Sequence, residues 1–209
     1  MPSLTIDTLP LLLISRPHLR HRLLALPQDP VFLPAGTPLR TNLDPHHAAS
    51  PADCLAALET VGLGEQVAAR GGLDAPLAPE TLSAGQRQLF SLARVVLRRR
   101  VRARECFGNT GEVEGGVLLL DEVSSSVDRE TDEAMQRVVR EEFAGYTVVM
   151  VSHRLGVVME FFDRVVVMEE GRVVEEGRPA ELVGVEGGRF RELWMAGSGN
   201  VKGRGSDTA

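Results

Sequence analysis

Thr81-Leu82-Ser83-Ala84-Gly85-Gln86-Arg87-Gln88 puts a hydroxyl, a small residue and a glycine at the start of a helix that continues through Leu89-Phe90-Ser91-Leu92-Ala93-Arg94. The unpaired N–H groups of a first helical turn, the serine hydroxyl and the positive end of the helix dipole make a place for an anion. Ser-x-Gly is also an ordinary N-cap, and the pattern alone does not choose between the two. Two apolar runs further on stop at polar residues: Val117-Leu118-Leu119-Leu120 at Asp121-Glu122, and Thr147-Val148-Val149-Met150-Val151 at Ser152-His153. An acid at the C-terminal end of a strand lies at the sheet edge where ligands collect, although a strand-end acid can also just cap a helix. A histidine after a strand is unremarkable by itself.

These residues need strands and helices to hold them. Leu24-Ala25-Leu26 reads as a short strand running into Pro27-Gln28-Asp29-Pro30-Val31-Phe32-Leu33. Ser50-Pro51-Ala52-Asp53 reads as a helix start with Leu55, Leu58 and Val61 as its apolar stripe, stopped by Gly62 and Gly64. A second short helix is expected around Glu65 to Ala69, then a turn-rich stretch from Leu73 to Glu80, then a helix from Gln86 to about Arg100. Arg129 to about Phe143 reads as a helix with Met135, Val138 and Val139 inward. Asp163 to Met168 and Arg172 to Glu176, joined by Glu169-Glu170-Gly171, read as a hairpin, and Pro179 and Phe190 start two further helices. Leu4 to Ile14 has no clear period and reads as irregular chain or a frayed strand.

The order of these motifs resembles the ATP-binding cassette (ABC) ATPases: the loop at Gln28, the signature loop at Ser83, a Walker B run ending in Asp121-Glu122, a D-loop at Val123-Ser124-Ser125-Ser126-Val127-Asp128, and a switch histidine at His153. The wording Pro27-Gln28-Asp29-Pro30 and Thr41-Asn42-Leu43-Asp44-Pro45 is similar to the C-type, multidrug-resistance-associated branch, in its second nucleotide-binding domain. The resemblance runs from about Ile14 to about Leu193 and implies an α/β fold, a partial P-loop NTPase sheet flanked by helices with an inserted helical subdomain. The organisation it implies is residues 1–34 as core remnant with the Gln28 loop, 35–100 as helical subdomain, 101–116 as flexible insertion, 117–196 as core, and 197–209 as disordered tail. Phe32 to Pro38 is longer and richer in proline than the family's segment.

By that resemblance the cofactors are ATP and Mg2+, and the chain takes part in an ATPase that couples hydrolysis to export of organic substrates across a membrane. Asp121 would hold the magnesium through its water shell, and Glu122 would polarise the attacking water. Gln28, a neutral amide, could coordinate the ion or hold the water without quenching either charge, and His153 would contact the γ-phosphate. Ser83, Ala84, Gly85 and Gln86 would close over nucleotide held by another cassette, and Asp128, at the D-loop position, is a further nucleotide-binding candidate. Implied partners are a second nucleotide-binding domain and the transmembrane domains of the transporter, on the cytoplasmic side of a membrane.

Missing is G-x-x-x-x-G-K-[ST], whose N–H groups and lysine cradle the β- and γ-phosphates. The one lysine in 209 residues is Lys202, between Val201 and Gly203. The expectation is therefore a part of a nucleotide-binding domain whose phosphate cradle lies upstream. The alternative is a non-catalytic cassette that completes or regulates a partner's ATP site.

Composition sets outer bounds. With 43% hydrophobic residues the chain can bury one sizeable core. Its 23 basic and 29 acidic residues leave a net charge of −6, which gives no general reason to bind nucleic acid. The run Arg98-Arg99-Arg100-Val101-Arg102-Ala103-Arg104 fits a helix C-terminus, and Gly108 to Gly116 after it reads as an exposed insertion. Cys54 and Cys106 have neither disulfide-framework nor zinc spacing, and adjacent His46 and His47 read as solvated loop. The longest apolar run, Leu9 to Ile14 with Pro10 inside it, is too short to span a bilayer, and no basic region marks a signal peptide.

Overall fold

Short left-handed turns shape the start of the chain. Thr5–Ile6 (β1) and Leu9–Pro10 (β2) pair as a tight hairpin because Asp7 and Thr8 adopt φ of 48° and 68°, in the stretch read from sequence as irregular chain or a frayed strand. Ser15 caps Arg16–Arg22 (α1), with Pro17 in the first turn, and α1 delivers the chain into Leu23–Leu26 (β3). The computed structural model describes residues 4–107 and 115–199, and the chain divides into two compact units, one running through Val151 and one starting at Ser152.

In the first unit, β3, Gly116–Asp121 (β4) and Tyr146–Val151 (β5) form a parallel sheet in the order β3-β4-β5, with Leu26 opposite Leu120 and Asp121 opposite Val151. Among the described residues, four α-helices are inserted between β3 and β4: Leu39–Leu43 (α2), Pro51–Thr60 (α3), Gly64–Ala69 (α4) and Ala84–Phe107 (α5). Arg129–Glu142 (α6) makes the crossover from β4 to β5. The mixed α/β architecture, a parallel sheet flanked by helices, is the one expected. Gly116 opens β4 where a Cβ would lie 2.5 Å from the Arg22 carbonyl oxygen and 2.9 Å from the Tyr146 ring, so only glycine lets three strands start side by side. Residue 116 is thus strand, not insertion; residues 108–114 lie outside the described residues.

Period-two alternation divides the sheet into two unlike faces. Leu24, Leu26, Leu118 and Leu120 point into the core with Leu92 and Val96 of α5 and Met135, Val138 and Val139 of α6. Each such leucine stabilises the fold by about 1.5–3 kcal/mol relative to exposure. On the other face Ala25, Leu119 and Val149 share one register row and are exposed, Leu119 at 40% and Val149 at 48%. Parallel sheets are ordinarily covered on both faces.

α5 runs to Phe107, seven residues past the expected end at Arg100, because its arginines find acids on neighbouring helices. Arg99 and Arg100 both donate to Glu142 at the end of α6, each at 2.6 Å, and Arg100 also reaches the Thr60 hydroxyl. Arg104 donates to both carboxylate oxygens of Asp53 at 3.0 Å. Asp53 also completes a capping box with Ser50 at the start of α3. The buried stripe of α3 is Cys54, Ala57 and Leu58, followed by Val61; Leu55, expected inward, is 41% exposed. Cys54 is a free thiol whose pKa burial pushes up.

The second unit joins Leu155–Phe161 (α7), Val165–Glu169 (β6), Arg172–Gly177 (β7), Pro179–Gly184 (α8) and Arg189–Gly199 (α9). β6 and β7 form the expected hairpin, turning at Glu170 and Gly171, both with positive φ. Val167, Leu182 and Phe190 make its core. The Glu175 carboxylate accepts from the N–H groups of Arg189 and Phe190 and so caps α9. α9 continues through Gly199, so the expected tail from residue 197 starts inside a helix; residues 200–209 lie outside the described residues. Among the described residues no helix is long and apolar enough to cross a membrane.

Candidate functional site

The C-terminal edge of β3-β4-β5 collects the candidate residues of the first unit. Parallel register sends the chain out of β3 at Pro27-Gln28 and out of β4 at Asp121-Glu122 on the same edge. Asp121 is exposed and Glu122 half-buried. Glu122 adopts φ 46°, a left-handed conformation that costs a side-chain-bearing residue about 1–2 kcal/mol. It is pinned there from both sides: its N–H donates to the Val151 carbonyl at 3.0 Å and its own carbonyl accepts from Ser125 at 3.1 Å. Strain held this way at a sheet edge turns the chain sharply between strand and following loop.

Gln28 is exposed, and the loop it starts is gripped from behind at three points. Gln88 on α5 donates through Nε2 to the Gln28 carbonyl at 2.5 Å. Arg94, also on α5, donates to the carbonyls of Val31 and Asn42, and its guanidinium lies over the rings of Phe32 and Phe90 at 4.9 and 5.0 Å. Burial pushes the Arg94 pKa down to about 10, which leaves the group charged at neutral pH. Asn42, wholly buried, accepts from the Leu33 N–H at 2.9 Å, which gives Asn42 of Asn42-Leu43-Asp44-Pro45 a structural task.

Ser83 and Gln86 form a reciprocal cap: the Ser83 Oγ accepts from the Gln86 N–H at 3.1 Å, and the Gln86 Oε1 accepts from the Ser83 N–H at 2.9 Å. Ser83 is exposed, Ala84 and Gln86 half-buried, and Gly85 buried. A Cβ on Gly85 would come within 3.1 Å of Thr131 Oγ1 and 3.2 Å of its methyl carbon, so the turn packs directly on the first turn of α6. That turn is capped by Asp128, whose carboxylate accepts from the Thr131 N–H and hydroxyl, each at 2.9 Å. Those two bonds hold the Asp128 carboxyl below its usual range. The Ser83 turn and Asp128 are thereby brought together through Thr131.

His153 belongs to the second unit. It is exposed on the short link before α7, two residues beyond Val151 in the chain, and the Arg154 N–H donates to the Ser152 hydroxyl at 3.0 Å beside it. Gln88, Arg94, Asn42 and Thr131 escape a sequence reading, because each works on a partner fixed only by the fold. Among the described residues no three His, Cys, Asp or Glu side chains cluster as a metal site.

No protein-family model matches the chain. It is 57% identical over 197 residues to the ABC-type transporter braE of Annulohypoxylon truncatum, which covers 94% of this chain and 13% of that protein. It is 53% identical over 192 residues to the ABC transporter FGM5 of Gibberella zeae, covering 92% and 13%, and 38% identical over 194 residues to the ABC multidrug transporter B of Aspergillus fumigatus, covering 93% and 12%. Among solved structures, a bacterial Atm1-family ABC exporter with ATP bound superposes with a TM-score of 0.76 at 23% identity, over 93% of this chain and 32% of that one. The chain therefore has fungal ABC transporters as homologues, shares the fold of part of an ABC exporter, and spans about an eighth of the length of the curated relatives it matches.

Proposed function

We propose that this chain, with ABC transporters as its homologues, is the C-terminal part of a transporter nucleotide-binding domain, the second such domain of a C-type exporter of organic compounds. It is an ATPase domain in that reading, held at the cytoplasmic side of a membrane by transmembrane domains and paired with another nucleotide-binding domain. The observation that carries the reading is the shared sheet edge: the Gln28 loop and the pinned Asp121-Glu122 turn leave parallel strands side by side, where phosphate ligands collect.

Asp121, exposed at that edge, and the Gln28 amide are the groups that would hold Mg2+. Two protein donors fit an ion that keeps several waters and is bound largely by substrate phosphates. When bound, Mg2+ neutralises charge developing on the β- and γ-phosphate oxygens. Glu122 would orient the attacking water and accept its proton as the water adds to the γ-phosphorus and the bond to the ADP oxygen breaks. His153, by the family resemblance, would contact the γ-phosphate. The Ser83-Ala84-Gly85-Gln86 turn closes over nucleotide on the partner domain, with Asp128 beside it.

The phosphate cradle comes from residues beyond these 209. The uncovered face carrying Ala25, Leu119 and Val149 supports this, because an apolar parallel-sheet face of this kind packs against a further layer. The test is ATP turnover by the complete polypeptide and by its Glu122→Gln form. The reading requires a Mg2+-dependent activity that falls by about 10²–10⁴-fold in the variant, the range for a lost general base. Turnover unchanged by Glu122→Gln would overturn it.

A further inference from the structure

Gln88 is 3% exposed, and its amide oxygen is inside the protein. Its Nε2 donates to the backbone carbonyl of Gln28, 60 residues away in sequence, while its Oε1 is buried without a hydrogen-bond partner among the described residues. Leucine or methionine could fill such a place on α5 with no polar atom to satisfy, so a half-satisfied buried amide needs a reason. The one bond it makes is that reason: it holds the carbonyl of the residue that starts the exposed loop. Gln88 lies one helical turn beyond the capped Ser83 turn on the same unbroken helix, so this single side chain sets where Gln28 sits relative to Ser83.

We propose that Gln88 is a positioning residue for the nucleotide site, holding the Gln28 loop in register with the Ser83 turn. It touches neither nucleotide nor ion; it acts through the backbone of Gln28. Arg94, three half-turns further along α5, grips the same loop at Val31, so removal of Gln88 frees the front of the loop while its back stays tied. This inference rests on the ATP-site reading for its catalytic consequence, and on geometry alone for the loop's restraint.

The experiment compares the complete polypeptide with its Gln88→Met form, which keeps volume and loses the donor, and with Gln88→Asn, which keeps the amide and is one methylene too short. Backbone hydrogen exchange is followed over residues 27–33 and over β4, and kcat and KM for ATP are measured alongside. A lost neutral hydrogen bond corresponds to a change of about two- to tenfold. Both variants are expected to exchange faster by that factor over residues 27–33, with β4 unchanged, and to lose kcat by a similar factor with KM nearly constant. Unchanged exchange in the loop, exchange that rises equally in β4, or a faster loop with unaltered kcat would each overturn the proposal. If the wild-type polypeptide turns over no ATP, the ATP-site reading fails, and the exchange measurement still decides whether Gln88 restrains the loop.

Discussion

Glu142 is where the helices that carry the Ser83 and Asp128 turns are tied together, and changing it to glutamine tests that tie. Its carboxylate receives Arg99 at 2.6 Å and Arg100 at 2.6 and 3.2 Å, and its side chain is 16% exposed against 21% and 29% for the arginines. Burial raises its pKa, but the Arg100 hydrogen bond and the two guanidinium charges outweigh burial and hold the carboxyl below the usual glutamate range. Each charge-assisted bond in so shielded a place contributes about 1.5–3 kcal/mol. The amide keeps one acceptor, so after discounting for part exposure the net loss in Glu142→Gln is about 2 kcal/mol. In a chain of this size that lowers the melting temperature by about 4–8 °C. Because the folded-state pKa is depressed, the carboxylate's contribution is fully present above the unfolded value of about 4.3 and is lost as pH falls through the folded value. Thermal melts of both forms from pH 7 to pH 3 should therefore draw together as pH falls below the unfolded value, while added salt, which screens shielded pairs poorly, should leave the gap at pH 7 nearly intact. A gap as wide at pH 3 as at pH 7, or none at pH 7, would refute this account of the arginine run.

Three further outcomes follow from the same geometry. Gly85→Val would push its methyl groups onto Thr131 and disturb the Asp128 cap, costing about 1–3 kcal/mol; differential scanning calorimetry showing a wild-type melting temperature would count against the packing described. Asp53, held down to about 2 first by the Ser50 hydroxyl and then by Arg104, stabilises the fold above the unfolded aspartate value of about 3.9 and loses that contribution as pH falls toward 2, so Asp53→Asn should be less stable than wild type at pH 6 and indistinguishable near pH 2 by chemical denaturation. Ser83→Arg should lower ATP turnover of the complete polypeptide far more than the loss of one helix cap, about 1 kcal/mol, lowers its stability; equal, small effects on both would make Ser83 only a cap.

Much of the fold was legible because its signals are local. Leu24-Ala25-Leu26, Val117 to Leu120 and Thr147 to Val151 are apolar runs that end at polar residues, and Ser50-Pro51-Ala52-Asp53 spells out a capping box within four residues. Glu170-Gly171 marks its hairpin in the same way. The features that escaped depend on distant partners. α5 outlasts its expected end because Arg99, Arg100 and Arg104 meet Glu142 and Asp53, and Leu55 turns outward because Cys54, Ala57 and Leu58 face the core against α5. At the candidate site the residue types were readable, whereas what holds them in place, Gln88 on the Gln28 carbonyl and Thr131 between Gly85 and Asp128, needed the fold.

The central claim is that Gln28, Asp121 and Glu122 form one half of an ATP site completed by residues outside this chain. Its most direct test is a structure of the complete polypeptide, Glu122→Gln, with Mg2+ and ATP. The account predicts nucleotide at the C-terminal edge of β3-β4-β5, with the ion near Asp121 and Gln28 and the residue 122 amide facing the γ-phosphate. Nucleotide bound away from that edge, or residue 122 turned from it, would contradict the account.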